Sequence, residues 1–565
     1  MAHIARCFTT RALARARMSS TVARDFSLDV TSALDVTSAP VMLKVYIETY
    51  GCQMNTNDSD IVRGILQSHG HGLVSDITSA DVALINTCAI RDGAEQRIWA
   101  RLAQLKAMKF TGPRASRRLK VVGVLGCMAE RLKSTLLRQD GLADVVCGPD
   151  AYRDVPRLIT NAYGATGELP DDERMNVLLS AEETYGDIKA VRRDENSPLA
   201  YVSVMRGCDN MCAFCVVPFT RGRERSRALS SVVRECRELI AAGVKEITLL
   251  GQNVNSYADK SAEGEVDDLG FETAPSERAV GAVASKVSSA PASDDPFGAY
   301  AKGFTSVYKP GARRRNAHTF ADLVSAVAAI DREVRVRFTS PHPKDFPDDL
   351  LRVVASTPNV CKNLHVPAQS GSTKTLERMR RGYTREAYLD LITHVREIIP
   401  GVSISSDFIS GFCGETEDEH AETISLLKAV RYDTAFMFHY SMRDKTHAAR
   451  HLDDDVPEDV KKRRLAEVIE TFRECAAQTN EAEIGRTHLV LIEGAARKSE
   501  AQMSGRSDTG KRVIVQGTSI DGVDIKPGDY VAVKVESAGT STLIARAVAA
   551  TTAKQFFERH GAAWY

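Results

Sequence analysis

Cys208, Cys212 and Cys215 stand in a Cys-x3-Cys-x2-Cys spacing within Arg206-Gly207-Cys208-Asp209-Asn210-Met211-Cys212-Ala213-Phe214-Cys215. Three soft thiolates on one short loop suit three irons of a four-iron, four-sulfur cluster. The fourth iron is then left without a protein ligand, and an open iron can chelate the amino and carboxylate groups of S-adenosylmethionine. An electron entering the sulfonium releases a 5′-deoxyadenosyl radical, chemistry that no side chain performs unaided. Zinc is the competing use of such thiolates, but tetrahedral closure asks for a fourth ligand. None lies within the loop.

A second trio is dispersed. Cys52 sits in Tyr50-Gly51-Cys52-Gln53-Met54-Asn55, Cys88 in Asn86-Thr87-Cys88, and Cys127 in Gly126-Cys127-Met128-Ala129-Glu130. Each follows an apolar, strand-like run. In a parallel sheet the carboxyl ends of the strands share one edge, where ligand crevices form. The three thiols can therefore converge on a second cluster with its own open iron. Any one of them alone reads as a core cysteine; the recurrence after strands makes the trio. Cys147, Cys236, Cys361, Cys413 and Cys475 lack such placement and are expected to be packing thiols.

The elements that must position these residues alternate. Strands are expected over 45–47, 82–85 and 121–125 and helices over 59–68 and 93–108, a doubly wound parallel sheet spanning 43–163. The middle, 194–482, repeats strand and helix six times. Its strands fall at 201–205, 246–250, 335–339, 363–366, 403–409 and 435–440, and its helices at 232–242, 320–330, 385–399 and 421–429. That pattern predicts a full or partial (β/α) barrel with its chemistry at the C-terminal strand ends, where Cys208–Cys215 follow the first strand. Residues 259–315 lack periodicity and read as a largely disordered insertion; its Arg313-Arg314-Arg315 could touch RNA. From 485 to 550 short strands and turn residues predict a small antiparallel β-barrel. The fold class is α/β with that third domain appended.

Composition narrows the function classes. Of 565 residues, 43% are hydrophobic and 26% charged, as in globular proteins. No apolar run of about 18 residues occurs, so no membrane span is expected. The 74 basic residues balance 74 acidic ones, so any nucleic-acid contact must come from local patches. Twelve cysteines in so long a chain make no disulfide framework, and the tight trio suits metal in a reducing compartment. Residues 1–24 carry Arg6, Arg11, Arg15, Arg17 and Arg24 with no acid, the composition of a mitochondrial transit peptide; with the repeat-like linker, this segment spans 1–42. Met42 offers a start for a shorter, cytosolic product.

These motifs resemble the methylthiotransferase family of radical S-adenosylmethionine enzymes. The likeness also includes Thr220-Arg221-Gly222-Arg223-Glu224-Arg225-Ser226-Arg227, Leu250-Gly251-Gln252-Asn253-Val254-Asn255-Ser256-Tyr257 and Ser340-Pro341-His342-Pro343. It runs from about Lys44 to Ala549 and is nearest the bacterial tRNA 2-methylthio-N6-isopentenyladenosine synthases and their eukaryotic mitochondrial relatives. Gly411-Phe412-Cys413-Gly414 and the insertion after Tyr257 favour the latter. The resemblance implies a methylthiotransferase N-terminal domain, a radical S-adenosylmethionine core and a C-terminal RNA-binding TRAM domain. It implies that Cys52, Cys88 and Cys127 hold an auxiliary four-iron cluster, and Cys208, Cys212 and Cys215 the cluster that cleaves S-adenosylmethionine. The expected substrate is N6-isopentenyladenosine beside the anticodon, in the anticodon stem-loop of mitochondrial matrix tRNAs. A ferredoxin- or flavodoxin-like reductant is the expected electron donor, and the small barrel is expected at the exit of the catalytic barrel, gripping RNA.

The sequence is compatible with other readings. The same chemistry could act on a ribosomal-protein aspartate or on threonylcarbamoyladenosine, but Gln53-Met54-Asn55 resembles the isopentenyladenosine branch. A non-catalytic regulator of a protein-kinase activator is a third reading, opposed by six cluster-type cysteines. Arg221, Arg223, Arg225 and Arg227 suit phosphate or carboxylate binding as well as they suit ion pairs. Lys461-Lys462-Arg463-Arg464 reads as a solvated helix face. His342 and Gln369-Ser370-Gly371 fall at the barrel rim, where turn roles compete with nucleoside contact. The small barrel has nine basic and seven acidic residues, too slight an excess to decide RNA binding.

Overall fold

The computed structural model describes residues 41–89, 92–110, 119–138, 141–261, 300–306 and 317–560. The arginine-rich leader and the insertion's Arg313-Arg314-Arg315 lie outside the described residues. Among the described residues no helix is long and apolar enough to cross a membrane.

The N-terminal sheet has six parallel strands. Numbered along the chain they are Lys44–Thr49, Gly72–Leu73, Val82–Thr87, Val121–Gly126, Val145–Cys147 and Met175–Asn176, in the spatial order 2-1-3-4-5-6. Alternate side chains go to opposite faces, as strand geometry requires. Val82, Leu84 and Val121 pack with Ile61, Ile65 and Leu158 on one side, while Ala83, Ile85 and Val122 pack with Ile98, Leu102 and Leu136 on the other. The sheet is therefore doubly wound, as expected. Its order reverses between Lys44–Thr49 and Val82–Thr87, so the crevice of a topological switch point opens there.

The central domain carries two three-stranded parallel sheets. One is formed by Leu199–Ser203, Glu246–Leu250 and Arg335–Thr339, the other by Asn363–His365, Ser403–Ser410 and Thr434–His439. A parallel bridge between Val336 and Val360 links them. The outward residues of both, among them Val202, Leu249, Val336, Leu364 and Ile404, share one core with the surrounding helices. This is the partial barrel expected from the alternation. Helix Glu417–Val430 starts where Thr416 accepts from the Glu419 amide and the Glu419 carboxylate answers the Thr416 amide. A helix of 24 residues, Glu458–Glu481, follows the last strand and packs on Glu417–Val430.

Residues 259–315 are not wholly an unstructured insertion. Asp259 pairs with His318 in a short antiparallel ladder at its base. Residues 300–306 return to the barrel, where the Phe304 ring packs at a tilt 4.7 Å from Tyr383 and Thr305 N–H donates to Gly382 O. Tyr300, with Lys344 Nζ 4.7 Å over its ring, and Phe304 anchor this part, and windowed composition averages such anchors away.

The C-terminal strands close a barrel in the order Thr487–Ala496, Ser499–Ser507, Arg512–Gln516, Thr542–Thr551, Tyr530–Ala538. Pairing is antiparallel except between Arg512–Gln516 and Thr542–Thr551, which run parallel. Its position corrects one expectation. The small barrel meets the N-terminal ends of the catalytic strands, not their exit. Tyr530 Oη donates to Lys245 O and Glu333 O, Lys362 N–H to Asp508 Oδ2, and Lys511 Nζ to Asp433 Oδ1. Lys245, Glu333, Lys362 and Asp433 each lie at or just before the start of a barrel strand. Arg335 and Arg337 complete the dock, donating to the carbonyls of Leu489, Arg506, Ser507 and Asp508. The physical reason is polar satisfaction: Arg335 and Arg337, which do not join the outer core, find backbone acceptors on the small barrel.

Candidate active site

Three loops at the C-terminal edge of the N-terminal sheet carry Cys52, Cys88 and Cys127, and the polar residues beside the cysteines hold those loops together. Asn55 Nδ2 donates to Thr87 O at 3.0 Å, Asn86 Nδ2 to Asn55 O at 3.0 Å, and Thr87 Oγ1 to Leu125 O at 2.6 Å. Asn55 Oδ1 also accepts from the Cys52 amide at 3.2 Å, fixing the start of helix Gln53–Ser68. Backbone crowding selects glycine at two points. Gly51 has φ of +126°, and a Cβ there would lie 2.6 Å from Cys88 Cβ. Gly126 has φ of +89°, and a Cβ would lie 2.6 Å from Thr87 O. Cys52 and Cys88 thus flank the switch point, and Cys127 joins from the next strand.

The other trio follows the first barrel strands. Gly207 N–H donates to Gln252 Oε1 at 2.5 Å, Cys215 N–H to Cys212 O at 3.0 Å, and Ala213 N–H to Met379 O at 2.9 Å. Asn255 braces the opposite rim: its Oδ1 accepts from the His342 amide at 2.9 Å and its Nδ2 donates to His342 O at 3.0 Å. Burial pushes the Cys208 thiol well up, with Cys215, Glu224 and Cys212 adding to it. Burial and then Cys212 push Cys215 up to about 12. Cys127 is raised by burial against the pull of Arg221, and Cys52 is near enough to add to the rise. Such thiols lose their protons on metal binding, because the thiolate is the ligand.

Members of both trios share one cavity, which Cys127, Cys208 and Cys212 do not line. Cys52 and Cys88 from the sheet edge, and Cys215 from the barrel loop, line a space of about 590 Å³. Phe214, Ile409, Met437 and Phe438 supply apolar wall, and Gln369, Asp407, His439 and Arg443 supply polar groups.

Each trio has the donor chemistry of an iron–sulfur cluster, three thiols and hydrogen bonds directed at their sulfurs. Among the described residues no group of three or more His, Cys, Asp or Glu side chains closes on a single ion. A four-iron cluster does not require that, since each thiolate binds its own iron. Sulfurs of both trios accept hydrogen bonds: Cys127 Sγ from Arg221 Nε at 3.2 Å, Cys212 Sγ from Arg381 Nη1 at 3.2 Å, and Cys208 Sγ from the Asn210 amide at 3.4 Å. Donors aimed at thiolate sulfur are what iron–sulfur centres use.

Other candidates fall to structural roles. Arg221 and Arg206 pair with Asp58, Arg225 with Asp150, and Arg227 with Glu235, all four arginines being buried. Arg223 pairs with Asp209. Lys461 and Arg464 are buried against Asp454 and Glu415, so the basic run is only half a solvated face. His342 is buried, and burial, Arg381 and Lys344 hold it well below the usual histidine range. Gln369 reaches the cavity, while Ser370 and Gly371 bond Thr423. Cys147, Cys236, Cys361, Cys413 and Cys475 are buried away from the trios' cavity. Sequence reasoning missed Asp58 and Arg381. Asp58 carries no local signal beyond its place in an otherwise amphipathic helix, and Arg381 carries none.

Known proteins resemble the chain along most of its length. Residues 44–148 match the uncharacterized protein family UPF0004, residues 202–271 and 304–427 the radical SAM superfamily, and residues 481–548 the TRAM domain. A CDK5RAP1-like protein of Oryza sativa subsp. japonica is 48% identical over 571 residues, covering 97% of this chain and 89% of its own. The mitochondrial tRNA methylthiotransferase CDK5RAP1 of Mus musculus is 48% identical over 518 residues, covering 90% of this chain and 82% of its own. A tRNA-2-methylthio-N(6)-dimethylallyladenosine synthase of Chloroherpeton thalassium is 42% identical over 505 residues, covering 89% of this chain and 96% of its own.

Proposed function

The chain belongs to the tRNA methylthiotransferase family, and on that premise we propose that it converts N6-isopentenyladenosine beside the anticodon of mitochondrial tRNAs into its 2-methylthio derivative. The observation that carries the proposal is the shared cavity, into which Cys52 and Cys88 open from one domain and Cys215 from another. Cys208, Cys212 and Cys215 would hold the cluster that binds S-adenosylmethionine, and Cys52, Cys88 and Cys127 the auxiliary cluster. When bound, these groups supply a carbon radical able to attack an aromatic C–H bond and a held sulfur to replace the hydrogen.

The chain's own residues do the positioning. Asn55, Asn86 and Thr87 fix the auxiliary loops against one another. Phe214, Ile409, Met437 and Phe438 offer apolar surface to an unstacked base and keep water from a reactive carbon centre. A base entering this space meets Cys52 and Cys88 of one trio and Cys215 of the other, as a reaction using two centres requires.

The mitochondrial matrix is the compartment we infer, supported by the acid-free, arginine-rich residues 1–24 and by the mitochondrial relative from Mus musculus; a product started at Met42 would stay in the cytosol. A ferredoxin- or flavodoxin-like protein would donate the electron. Mass spectrometry of mitochondrial tRNA from cells lacking the chain tests the reading. The 2-methylthio mark is expected to vanish while N6-isopentenyladenosine accumulates, and an unchanged mark overturns it.

A further inference from the structure

Each cysteine trio has one sulfur that faces a buried guanidinium. Arg221 Nε donates to Cys127 Sγ and Arg381 Nη1 to Cys212 Sγ, both at 3.2 Å. The two arginines come from different elements and are 3% and 5% exposed. Both are anchored from behind. Arg221 Nη2 donates to Asp58 at 2.7 Å; Arg381 donates through Nε to Tyr383 Oη and through Nη2 to Pro367 O, both at 3.0 Å. A rigid fork held in this way aims its remaining donor rather than sampling solvent.

The charges around them point the same way. Asp58 is shared by two cations, Arg206 and Arg221, and Arg206 also lies 3.6 Å from Asp150, which pairs with Arg225, so two buried carboxylates face three guanidiniums. Among the described residues no carboxylate pairs with Arg381. A buried cation persists only with a compensating anion nearby, and for Arg381 the sulfur it contacts is the candidate. Arg221 Nη1 is also buried with no hydrogen-bond acceptor among the described residues. It is a spare donor in the guanidinium whose Nε is already on Cys127.

We propose that Arg221 and Arg381 are positioning residues, one for each iron–sulfur centre, that set the charge and reduction potential of those centres through a hydrogen bond to one ligand sulfur. The inference rests on the six cysteines being the cluster ligands. Reduction adds one electron to a centre and breaks no bond, so the reduced state is the more negative. A fixed cation and N–H donor favour that state and raise the potential, and burial removes the water that would screen them. The assignment explains why three of the four alternating arginines at 221–227 are buried rather than presented to RNA: the segment supplies an inward cation for one centre and ion pairs that hold it in place.

Two full-length parents separate the centres, one with Cys208, Cys212 and Cys215 changed to Ala and the other with Cys52, Cys88 and Cys127 changed to Ala. Both are reconstituted anaerobically with iron and sulfide and titrated with dithionite under electron paramagnetic resonance. Arg221→Gln in the first parent, and Arg381→Gln in the second, is expected to lower the reduced-to-oxidised ratio at fixed potential at least tenfold, a midpoint shift of about 59 mV for one electron. Lysine at either position retains charge and moves the midpoint less, and the crossed combinations leave it unmoved. A midpoint unchanged at full iron content overturns the inference and leaves the ligand assignment standing. Parents that bind no iron overturn the ligand assignment itself. If the glutamine variants lose iron, the parents grown on arginine labelled with 15N in the guanidinium decide. A 15N coupling to each reduced centre supports the inference, and its absence overturns it.

Discussion

Arg206 Nη1 and Asp58 Oδ1 lie 2.9 Å apart with neither side chain exposed, joining the first helix of the N-terminal domain to the strand that leads into Cys208. Arg221 reaches the same carboxylate at 2.7 Å, and Tyr152 Oη donates to it at 3.2 Å. One aspartate thus ties the two cysteine-bearing domains together, and Cys52, Cys88 and Cys215 from those domains line one cavity.

Asp58→Ala leaves two buried guanidiniums without this partner. Removing one member of a buried pair costs about 3–5 kcal/mol, so a large drop in the unfolding midpoint is expected by calorimetry or denaturant titration. Asp58→Asn keeps the volume and isolates the charge. Burial alone would raise the Asp58 pKa, but Arg221 and Arg206 outweigh it and hold the carboxyl below the usual aspartate range. A depressed folded pKa means that this contribution is whole above about pH 3.9, the ordinary value, and is lost as pH falls through the folded value. The stability gap between the native chain and Asp58→Asn is therefore expected to narrow on acidification below about pH 4.

The trios are expected to fail differently. Cys212→Ala abolishes 5′-deoxyadenosine formation from S-adenosylmethionine. Cys88→Ala retains cleavage and loses the methylthio product. In each, reconstituted iron falls from about eight to about four atoms per chain. Iron analysis beside chromatography of the nucleoside products checks both; methylthio product from Cys88→Ala would remove that residue from the ligand set.

Gly51→Ala inserts a methyl group where Cys88 Cβ and Asn55 Oδ1 already stand, at a φ of +126° that a side chain resists. The expected result is a chain with the iron of one cluster, about four atoms, and intact cleavage of S-adenosylmethionine. Loss of cleavage as well would mean that the damage spreads beyond the sheet edge.

Arg337→Ala tests the dock of the small barrel. Its Nη atoms donate to Asp508 O at 2.8 Å and Ser507 O at 2.7 Å, and its Nε lies 2.9 Å from Glu246. Truncation strands Glu246 and two carbonyls, a loss of about 3–5 kcal/mol. Limited proteolysis is expected to cut between the domains near Gly485, and tRNA affinity to fall more than tRNA-independent cleavage of S-adenosylmethionine does. Equal losses in both would place the dock's effect on the whole core.

The amino-acid sequence by itself determined the local chemistry. Cys-x3-Cys-x2-Cys fits on one loop, strand and helix periods mark the two α/β domains, and cysteines recurring after strands mark a sheet edge, because spacing along the chain controls what a few consecutive residues can do. Only the tertiary structure decided which long-range partners meet. Arg221, Arg225 and Arg227 look the same in sequence whether they face RNA or Asp58, Asp150 and Glu235, and Arg381 is silent until the fold brings it to Cys212. The end of the catalytic barrel that the small barrel occupies was equally hidden. It depends on Arg335 and Arg337 finding backbone acceptors more than 150 residues away, and a buried charge takes its partner from whatever packing delivers, not from its neighbours in the chain.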